Sequence, residues 1–552
     1  MKTKKRNILI GIGVIVTAIL VVGFVWSDDS EYFLKVYQSI DIFTRVYKEV
    51  AVNYVDEVNP ELFMRAGIDG MLKTLDPYTV YIGEEDKDEI DLVTTGKYGG
   101  IGVTIGLRDG AVSILNLMEG YSAVKQGVQV GDKIIEVDGK SVSGKSLEEV
   151  RSLVRGVPGS EVKLKIEREG EPSPLEFTLM REEIRIQNVT YAGFVQPGIG
   201  YIVLERFSRT SAEDVREAIK ELKAQGELKG IILDLRGNPG GLLEMAVEVT
   251  SMFVPESSLI VSTKGRKPDS ERKYYSTTKP LLPSIPMAVL VDRNSASASE
   301  IVAGAIQDLD RGVIVGTRTF GKGLVQTITQ LSNTASLKLT TARYYTPSGR
   351  CIQEIDYSKR LGDGSVFAVP DSIKHEFHTK QNRPVWDGGG VQPDSTVVDT
   401  VRIPFIDELY RQGMFFKFAN HYASINKSIP EKIEVTPELL NSFQSFTKEK
   451  GFVYKSKEEQ LLEEVHKAIQ SASYSKAVQR ALASLDSLMK NEKTNYFQYY
   501  HKELTTILTA ELAGRLKGER ARIEAELPSD KQLQIAASLL GNSKRYNAIL
   551  RK

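Results

Sequence analysis

The spacing of apolar residues changes several times along the chain, and each change predicts a different kind of structure. Residues 31–92 place apolar side chains at helical spacing until Pro77 interrupts the pattern. Residues 96–180 alternate between apolar and polar positions around glycines, which is typical of short strands joined by tight turns. From 199 to 345 apolar strands alternate with helical segments, and beyond 402 the pattern indicates amphipathic helices.

The stretch from 199 to 345 predicts an α/β core built in layers. The runs "IILDL" (231–235) and "MAVLV" (287–291) are continuously apolar, as expected for strands that are covered on both faces. Helical segments such as "SAEDVREAIKELKAQG" (211–226) separate the strands and are long enough to serve as crossovers. This alternation favours a layered core with a parallel sheet.

The C-terminal stretch is predicted to form a helical module. No glycine occurs between Phe452 and Ala513, and segments such as "EEQLLEEVHKAIQ" (458–470) are amphipathic. Its role stays open between a helical appendage that packs on the core and a surface that binds a partner.

The N-terminus predicts a membrane anchor. Basic residues crowd the opening "MKTKKRN", and the segment Ile8–Trp26 that follows carries no charge. As a helix this segment spans roughly 28 Å, about the thickness of a bilayer core. Basic residues before such a span favour a cytoplasmic N-terminus and an exported remainder. The alternative is a cleaved signal peptide, although no small-x-small cleavage site precedes "SDDSE".

Composition excludes some classes of function. The chain has 552 residues, of which 41% are hydrophobic and 26% charged, so it can form about three or four domains. The 72 basic residues balance the 72 acidic ones, so no overall field favours nucleic acid as a partner. Cys351 is the only cysteine, which rules out an intrachain disulfide. It is a poor candidate nucleophile because no histidine lies close to it in the sequence.

Residues 96–182 resemble a PDZ domain. The resemblance rests on "GKYGGIGVTIG" (96–106), "GVQVGDKIIEVDG" (127–139) and the short helical segment "SLEEVRSLV" (146–154). In that family a peptide adds as an extra strand, and loop amides hold its terminal carboxylate. The resemblance implies peptide-binding residues in the loop and on the helix, namely Tyr98, Gly99, Gly100, Ile101, Gly102, Leu147, Val150 and Val154.

Three serines, Ser295, Ser297 and Ser299, alternate with alanines where the strand 287–291 is followed by a helical segment. Ser297 and Glu300 have the spacing of a capping box, which would satisfy free amides at the helix start. The alternative is that one hydroxyl is a nucleophile. The carboxyl ends of parallel strands are where such sheets bind ligands, and a helix start stabilises negative charge on a bound oxygen.

A serine nucleophile needs a base, and the core offers lysine rather than histidine. Every histidine follows the core strands, which excludes a Ser–His–Asp triad within the core; they are His375, His378, His421, His466 and His501. Lys322 lies among uncharged neighbours in "TFGKGLVQ" (319–326). It acts as a base only when neutral, so its pKa has to fall from about 10.4 toward ~7–8. The alternative is an exposed loop lysine.

Taken together, "SASASEIVAGAIQD" (295–308), "GTRTFGKGLVQ" (316–326) and "LDLRGNPGG" (233–241) resemble the C-terminal processing (tail-specific) proteases. The resemblance covers about residues 31–400, including "GGGVQPD" (388–394), and leaves the helical tail outside. It implies a crotonase-like layered core with an inserted PDZ domain. It also implies that Ser297 is the nucleophile, that Lys322 is the base and that Gln326 orients the lysine.

Backbone amides beside the nucleophile are expected to form the oxyanion hole. The amide of Ala298 follows Ser297 directly, and the turn "RGNPGG" (236–241) offers Gly240 or Gly241 as the second donor. The sequence does not choose between the two glycines. Removal of one such donor typically costs ~10²–10³ in turnover. Asp234 and Arg236, just before this turn, are interpreted as structural.

These features predict a membrane-anchored serine endopeptidase of the bacterial inner membrane whose catalytic part lies on the periplasmic side. Its partners would be proteins or peptides with free, apolar C-termini, with a homo-oligomer or an adaptor protein as further candidates, and it would need no metal or cofactor. Two other classes stay open: an inactive PDZ scaffold, and a lyase or hydratase of the crotonase type. The predicted domains are an anchor (1–26), a helical segment (27–95), a PDZ domain (96–182), a protease core (183–400) and a helical module (401–552).

Overall fold

The computed structural model describes residues 31–84, 95–360, 366–368, 370–398, 403–426, 428–470 and 474–551. The predicted membrane anchor at 1–26 lies outside them. Among the helices of the described residues, none combines the length and the apolar character needed to cross a bilayer. The chain divides into two compact units, one up to Tyr81 and one from Ile82 onward.

The first unit is helical, as the spacing of its apolar residues predicts. Helix α1 covers 31–53 and helix α2 covers Pro60–Leu72. Asn59 caps α2, because its side chain accepts hydrogen bonds from two amides of the first turn. A short strand, β1 (Val80–Ile82), lies at the boundary between the two units.

The second unit begins with a small β-rich domain. Its elements in chain order are β2 (Lys97–Gly100), β3 (Val103–Arg108), β4 (Ala111–Leu117), α3 (Ser122–Lys125), β5 (Lys133–Val137), β6 (Lys140–Ser141), α4 (Leu147–Val154), β7 (Glu161–Glu167), β8 (Leu175–Met180) and β9 (Glu182–Arg185). The main sheet has the order β3-β4-β5-β7-β8 with β6 beside β5, and β2 pairs separately with β9. The strand–helix pattern predicted for 96–180 is confirmed, and β9 crosses the predicted limit at 182.

The core that follows contains a central sheet and a smaller antiparallel sheet. Its elements in chain order are β10 (Val189–Gln196), β11 (Ile199–Leu204), α5 (Ser211–Gln225), β12 (Gly230–Asp234), α6 (Leu243–Ser251), β13 (Leu259–Gly265), β14 (Arg272–Tyr275), β15 (Met287–Val291), α7 (Ala298–Asp308), β16 (Val313–Gly316), β17 (Leu324–Gln330), β18 (Ser336–Tyr345), β19 (Ile355–Arg360), β20 (Val366–Ala368), β21 (Glu376–His378), β22 (Pro384–Trp386) and β23 (Ser395–Thr396). The central sheet has the order β10-β11-β12-β15-β16-β23. Only β10 runs antiparallel to its neighbour in that order. In the smaller sheet β18 pairs with both β13 and β17.

One face of the central sheet is covered by α5, α6 and α7, as the strand–helix alternation predicts. Side chains from these helices and from the strands form one continuous apolar cluster, and α7 is buried at every position. The parallel strands β12 and β15 lie side by side, so their carboxyl ends at Asp234 and Val291 meet at one edge of the sheet. The loops after these two strands carry the candidate catalytic residues.

The C-terminal residues are helical, as predicted. The helices in chain order are α8 (Pro404–Arg411), α9 (Met414–Ile425), α10 (Pro437–Glu449), α11 (Lys457–Gln470), α12 (Lys476–Thr494), α13 (Tyr496–Tyr499), α14 (His501–Lys517), α15 (Glu519–Glu526), α16 (Lys531–Gly541) and α17 (Ser543–Arg551). Leu533 and Leu540 of α16, and Tyr546 of α17, are buried against strand residues of the second face of the central sheet. The last two helices therefore form the third layer of the core, and for α16 and α17 this agrees with the interpretation of a helical appendage that packs on the core.

Candidate active site

The three alternating serines lie between the end of β15 and the start of α7, and the hydroxyls of two of them make structural hydrogen bonds. Ser295 Oγ donates to the carbonyl oxygen of Leu235 at 2.7 Å, and Ser299 Oγ donates to that of Asn238 at 2.9 Å. Both serines are fully buried. Because both acceptors belong to the segment after β12, these two hydroxyls fasten that segment to the start of α7.

Ser297 differs from its two neighbours in conformation. Its backbone has φ 55° and ψ −111°, a region that residues with a side chain rarely adopt and that costs of order 1–3 kcal/mol. It is half-buried rather than enclosed. The predicted capping box of Ser297 and Glu300 is present, but the amide of Glu300 also donates to the Ser297 carbonyl oxygen at 2.9 Å, so this amide stays satisfied without the serine hydroxyl. A strained serine on a sharp turn from strand to helix is the geometry of a nucleophile elbow.

The Glu300 carboxylate joins the serine turn to the loop that carries Lys322. One carboxylate oxygen accepts the amides of Ser297 and Lys322, each at 2.9 Å, so the two nitrogens are no further apart than twice that distance. The other oxygen accepts the Thr319 hydroxyl at 2.6 Å and the Gly321 amide at 2.7 Å. Capping was the only role that the sequence suggested for Glu300. The bridge could not be predicted, because no local pattern places 319–322 against it.

Burial of the Glu300 carboxyl has an electrostatic consequence. Loss of hydration disfavours its charged form and raises its pKa to about 7, although the four hydrogen bonds that it accepts work in the opposite direction. The carboxyl is therefore close to its titration point near neutral pH.

The loop of Lys322 is held tightly on both sides. At Gly321, which has φ 86°, a β-carbon would lie 2.6 Å from the Glu354 side chain, so this position requires glycine. The Gly323 amide donates to the Gln353 side chain at 2.7 Å. Lys322 itself is half-buried, which differs from the exposed loop lysine of the alternative interpretation.

Gln326 lies on β17, four residues beyond Lys322. Its side-chain nitrogen donates to Thr340 Oγ1 on the paired strand β18, at 3.4 Å. In this arrangement the carbonyl oxygen of the amide faces away from Thr340 and can accept a hydrogen bond from an amine. The roles of Ser297, Lys322 and Gln326 in catalysis stay predictions.

The glycine turn after β12 lies directly against Ser297. A β-carbon at Gly240 would lie 2.9 Å from the Ala298 nitrogen and 2.9 Å from Ser297 Cβ, so only glycine permits this approach. The Gly240 amide donates to Asn238 Oδ1 at 2.8 Å, whereas the Gly241 amide has no acceptor within the described part of the chain. Of the two glycines that the sequence left open, the geometry therefore favours Gly241. Ala298 lies in the first turn of α7, where amides lack intrahelical acceptors.

The rival nucleophile and the rival bases are poorly placed for chemistry. Burial raises the pKa of the Cys351 thiol, which disfavours its reactive thiolate form. His375 is 79% exposed and pairs with Asp387, and His378 is exposed and lies 3.3 Å from a carboxylate oxygen of Glu376. Exposed imidazoles on the short β21–β22 hairpin are not enclosed as a catalytic base would be.

In the PDZ-like domain, the predicted loop and helix residues fall into two groups. Tyr98 and its two following glycines belong to β2, and the Tyr98 ring lies under the Arg155 guanidinium, 4.7 Å from it. Ile101, Val150 and Val154 are buried in the domain core, whereas Leu147 is partly exposed. In the part of the chain that the structure describes, β3 pairs only with β4. Its other edge is the place where a peptide strand can add.

Comparison with known proteins gives three family matches along the chain. Residues 198–358 match peptidase family S41, residues 114–168 match a PDZ domain, and residues 405–540 match the C-terminal helical domain of a probable PDZ-protease. The helical tail, which lies outside the motifs of the family resemblance, is therefore similar to a C-terminal domain of probable PDZ-proteases.

Two relatives agree with these matches. The chain is 38% identical over 322 residues to the carboxy-terminal-processing protease of Bartonella bacilliformis, covering 58% of this chain and 74% of that one. It is 34% identical over 320 residues to the carboxy-terminal processing protease CtpB of Bacillus subtilis, covering 57% and 66%. A solved structure of the photosystem II D1 C-terminal processing protease is 28% identical, with coverage of 64% and 92% and a TM-score of 0.35.

The fold and the family matches define a serine-type peptidase with a PDZ domain. The chain belongs to the carboxy-terminal processing protease family. The fold class and the family that the sequence motifs predicted are thus confirmed.

Proposed function

We propose that this protein is a serine endopeptidase in which Ser297 attacks the peptide bond and Lys322 is the general base. The observation that carries the proposal is the strained turn of Ser297, whose amide shares one carboxylate oxygen of Glu300 with the amide of Lys322. A strained nucleophile beside a half-enclosed lysine is the arrangement that serine chemistry without histidine requires.

The reaction follows from these positions. The neutral Lys322 amine takes the proton of Ser297 as its Oγ bonds to the substrate carbonyl carbon. The amides of Ala298 and Gly241 stabilise the negative oxygen of the tetrahedral intermediate, and the dipole of α7 adds to this effect. The Lys322 ammonium then returns the proton to the leaving amine. Lys322 next takes a proton from the water that attacks the acyl carbon, and it returns that proton to Ser297 Oγ as the ester bond breaks, which regenerates the free hydroxyl.

Gln326 orients the Lys322 amine without stabilising its protonated form. Its carbonyl oxygen accepts one hydrogen bond from the amine, and because the amide is uncharged it does not raise the lysine pKa as a carboxylate would. The contact to Thr340 supports this proposal because, with the amide nitrogen on Thr340, the carbonyl oxygen is left for the lysine amine.

The PDZ domain would select the substrate. A C-terminal tail adds as a strand to the outer edge of β3, beside α4, and its terminal carboxylate is held by amides of the loop 98–102. The partners are therefore proteins or peptides with free, apolar C-termini.

For localisation, we propose a single-pass anchor formed by the apolar segment 8–26, with the catalytic part on the periplasmic side of a bacterial inner membrane. Fractionation of cells tests this proposal. The full chain is expected to stay in the membrane fraction after extraction at alkaline pH, and a chain without 1–26 is not. Recovery of the full chain in the cytoplasmic fraction would contradict the anchor.

The test of the activity uses the full-length chain in detergent and a protein substrate with an apolar, free C-terminus. New C-termini are identified by mass spectrometry for the wild type and for Ser297→Ala. Cleavage only by the wild type supports the proposal. If neither protein cleaves the substrate but both bind its tail, the protein is a PDZ scaffold; if both cleave it equally, the nucleophile is another residue.

A further inference from the structure

Arg236 lies two residues after β12 and directly precedes the glycine turn at the candidate active site. Its guanidinium is held from two sides by carboxylates. Nε donates to both oxygens of Asp234, at 3.0 and 2.9 Å, while the two terminal nitrogens donate to Asp530, at 3.1 and 2.6 Å. Such a two-pronged contact fixes the plane of the guanidinium as well as its position.

The second carboxylate comes from the C-terminal helical domain. Asp530 is the N-cap of α16, where its side chain also accepts the amide of Leu533 at 2.9 Å. Gln532 of the same helix accepts from Arg236 at 3.0 Å. Because α16 is packed against the central sheet, Asp530 is held by a rigid element. The side chains of Arg236 and Asp530 are each 20% exposed, so this pairing is little screened by water.

The residues after Arg236 are those that contact the nucleophile turn. The Gly237 amide donates to Asp292 Oδ1 at 2.9 Å. The Asn238 carbonyl oxygen accepts the Ala296 amide at 3.0 Å as well as the Ser299 hydroxyl. Pro239, Gly240 and Gly241 complete this segment. The segment 237–241 is therefore bounded by Arg236 on one side and by the Ser297 turn on the other.

We propose that Asp530 is a positioning residue for peptide hydrolysis: through Arg236 it fixes the start of the segment 237–241, and so the direction of the Gly241 amide in the oxyanion hole. The inference rests on the proposed function of Ser297. The C-terminal helical domain thereby contributes to the chemistry of a site that contains none of its residues. Asp234 alone balances the charge of Arg236, so the contribution of Asp530 is orientation rather than neutralisation.

The variant Asp530→Asn separates this role from helix capping. Asparagine caps helices about as well as aspartate does, but it offers one carbonyl oxygen in place of the charged, two-oxygen partner of Arg236. Asp530→Ser is the second variant, since serine also caps and is too short to reach the guanidinium. The matched control is Thr436→Ala, which removes the cap of α10 in the same domain, where Thr436 accepts the Leu439 amide.

Steady-state kinetics and the inhibition constant of a peptide aldehyde give the readout, because the adduct oxygen of the aldehyde occupies the oxyanion hole. Both Asp530 variants are expected to lower kcat by about tenfold or more, part of the ~10²–10³ that loss of a whole donor costs. They are expected to weaken the aldehyde similarly, with KM and Tm close to the wild type. Thr436→Ala is expected to lower Tm and to keep kcat.

Two outcomes would overturn the inference. One is an unchanged kcat in both Asp530 variants; the other is a loss of kcat in Thr436→Ala as large as theirs, because any destabilisation of the helical domain would then lower kcat. In either case wild-type cleavage that depends on Ser297 shows that the proposed function still stands. Absence of any Ser297-dependent cleavage in the wild type would instead overturn the proposed function, and this inference with it.

Discussion

Alanine substitutions at the three serines are expected to rank in opposite orders for stability and for activity. The serine whose loss costs the most activity should cost the least stability. Ser295 loses most in stability, because its hydroxyl donates to Leu235 and also accepts the Asp292 amide at 2.9 Å. Ser299 loses one buried hydrogen bond, to the Asn238 carbonyl oxygen, which keeps the Ala296 amide as a second donor. The expected cost is about 1 kcal/mol or more for Ser299→Ala and up to ~3 kcal/mol for Ser295→Ala.

Ser297→Ala is expected to change the free energy of unfolding by less than either neighbour, since alanine keeps the same backbone strain and the Glu300 amide, which the Ser297 hydroxyl caps, keeps its bond to the Ser297 carbonyl oxygen. Its cleavage rate, however, should fall to the background, whereas Ser295→Ala and Ser299→Ala keep a measurable fraction. Urea unfolding gives the stabilities, and kcat/KM on one tail peptide gives the activities. If Ser297→Ala cleaves normally and loses about 1 kcal/mol of stability, capping is its whole role and the nucleophile is elsewhere.

Three further predictions use other parts of the site. In wild type, Glu300 has a folded-state pKa of about 7 against an ordinary value of 4.5, so its stabilising contribution is full below about pH 4.5 and is lost as the pH rises through 7. The free energy of unfolding of Glu300→Gln should therefore lack about 3 kcal/mol of the pH dependence that the wild type shows between those limits. If urea unfolding shows the same pH dependence in both proteins, the pKa is contradicted. Gly241→Ala should abolish cleavage, because a β-carbon there would lie 2.2 Å from the Phe207 carbonyl oxygen, whereas Gly226→Ala, which has an extended φ and whose β-carbon would come no nearer than 3.9 Å to the Phe194 ring, should stay active; equal activity of the two variants would count against the proposed oxyanion donor. Amidation of a substrate's C-terminus should lower kcat/KM by about 10-fold or more, since loop amides lose a charged acceptor worth ~1.5–3 kcal/mol, and equal cleavage of both forms would show that the tail carboxylate is not read.

The parts of the fold that could be predicted are those set by local spacing. The apolar runs 231–235 and 287–291 predict β12 and β15, because strands that are buried on both faces need continuous apolar residues. The order of these strands places Ser297 and the glycine turn at one edge of the sheet, so that part of the candidate site followed from topology alone.

The remaining features depend on contacts between segments far apart in the chain. Arg236 and Asp530 are separated by 294 positions, and no periodicity relates a cap in the helical tail to a turn in the core. The choice between Gly240 and Gly241 depends on which amide the Asn238 side chain accepts a hydrogen bond from, and the neighbouring residues in the sequence do not determine this. For the same reason Glu300 was recognised as a cap but not as the link between the Ser297 and Lys322 loops.

The central claim is that a neutral lysine performs the proton transfers, and Lys322→Arg tests it most directly. Arginine keeps the positive charge and the length of the side chain, but its guanidinium stays protonated throughout the accessible pH range. The measurement is kcat/KM on one tail peptide as a function of pH, for the wild type and for Lys322→Arg, with Tm recorded for both. With a neutral lysine as the base, wild-type activity should rise with pH on a single limb, and the Lys322→Arg protein should be folded with no more activity than Ser297→Ala. A Lys322→Arg protein that cleaves the peptide at a substantial fraction of the wild-type rate would contradict this claim.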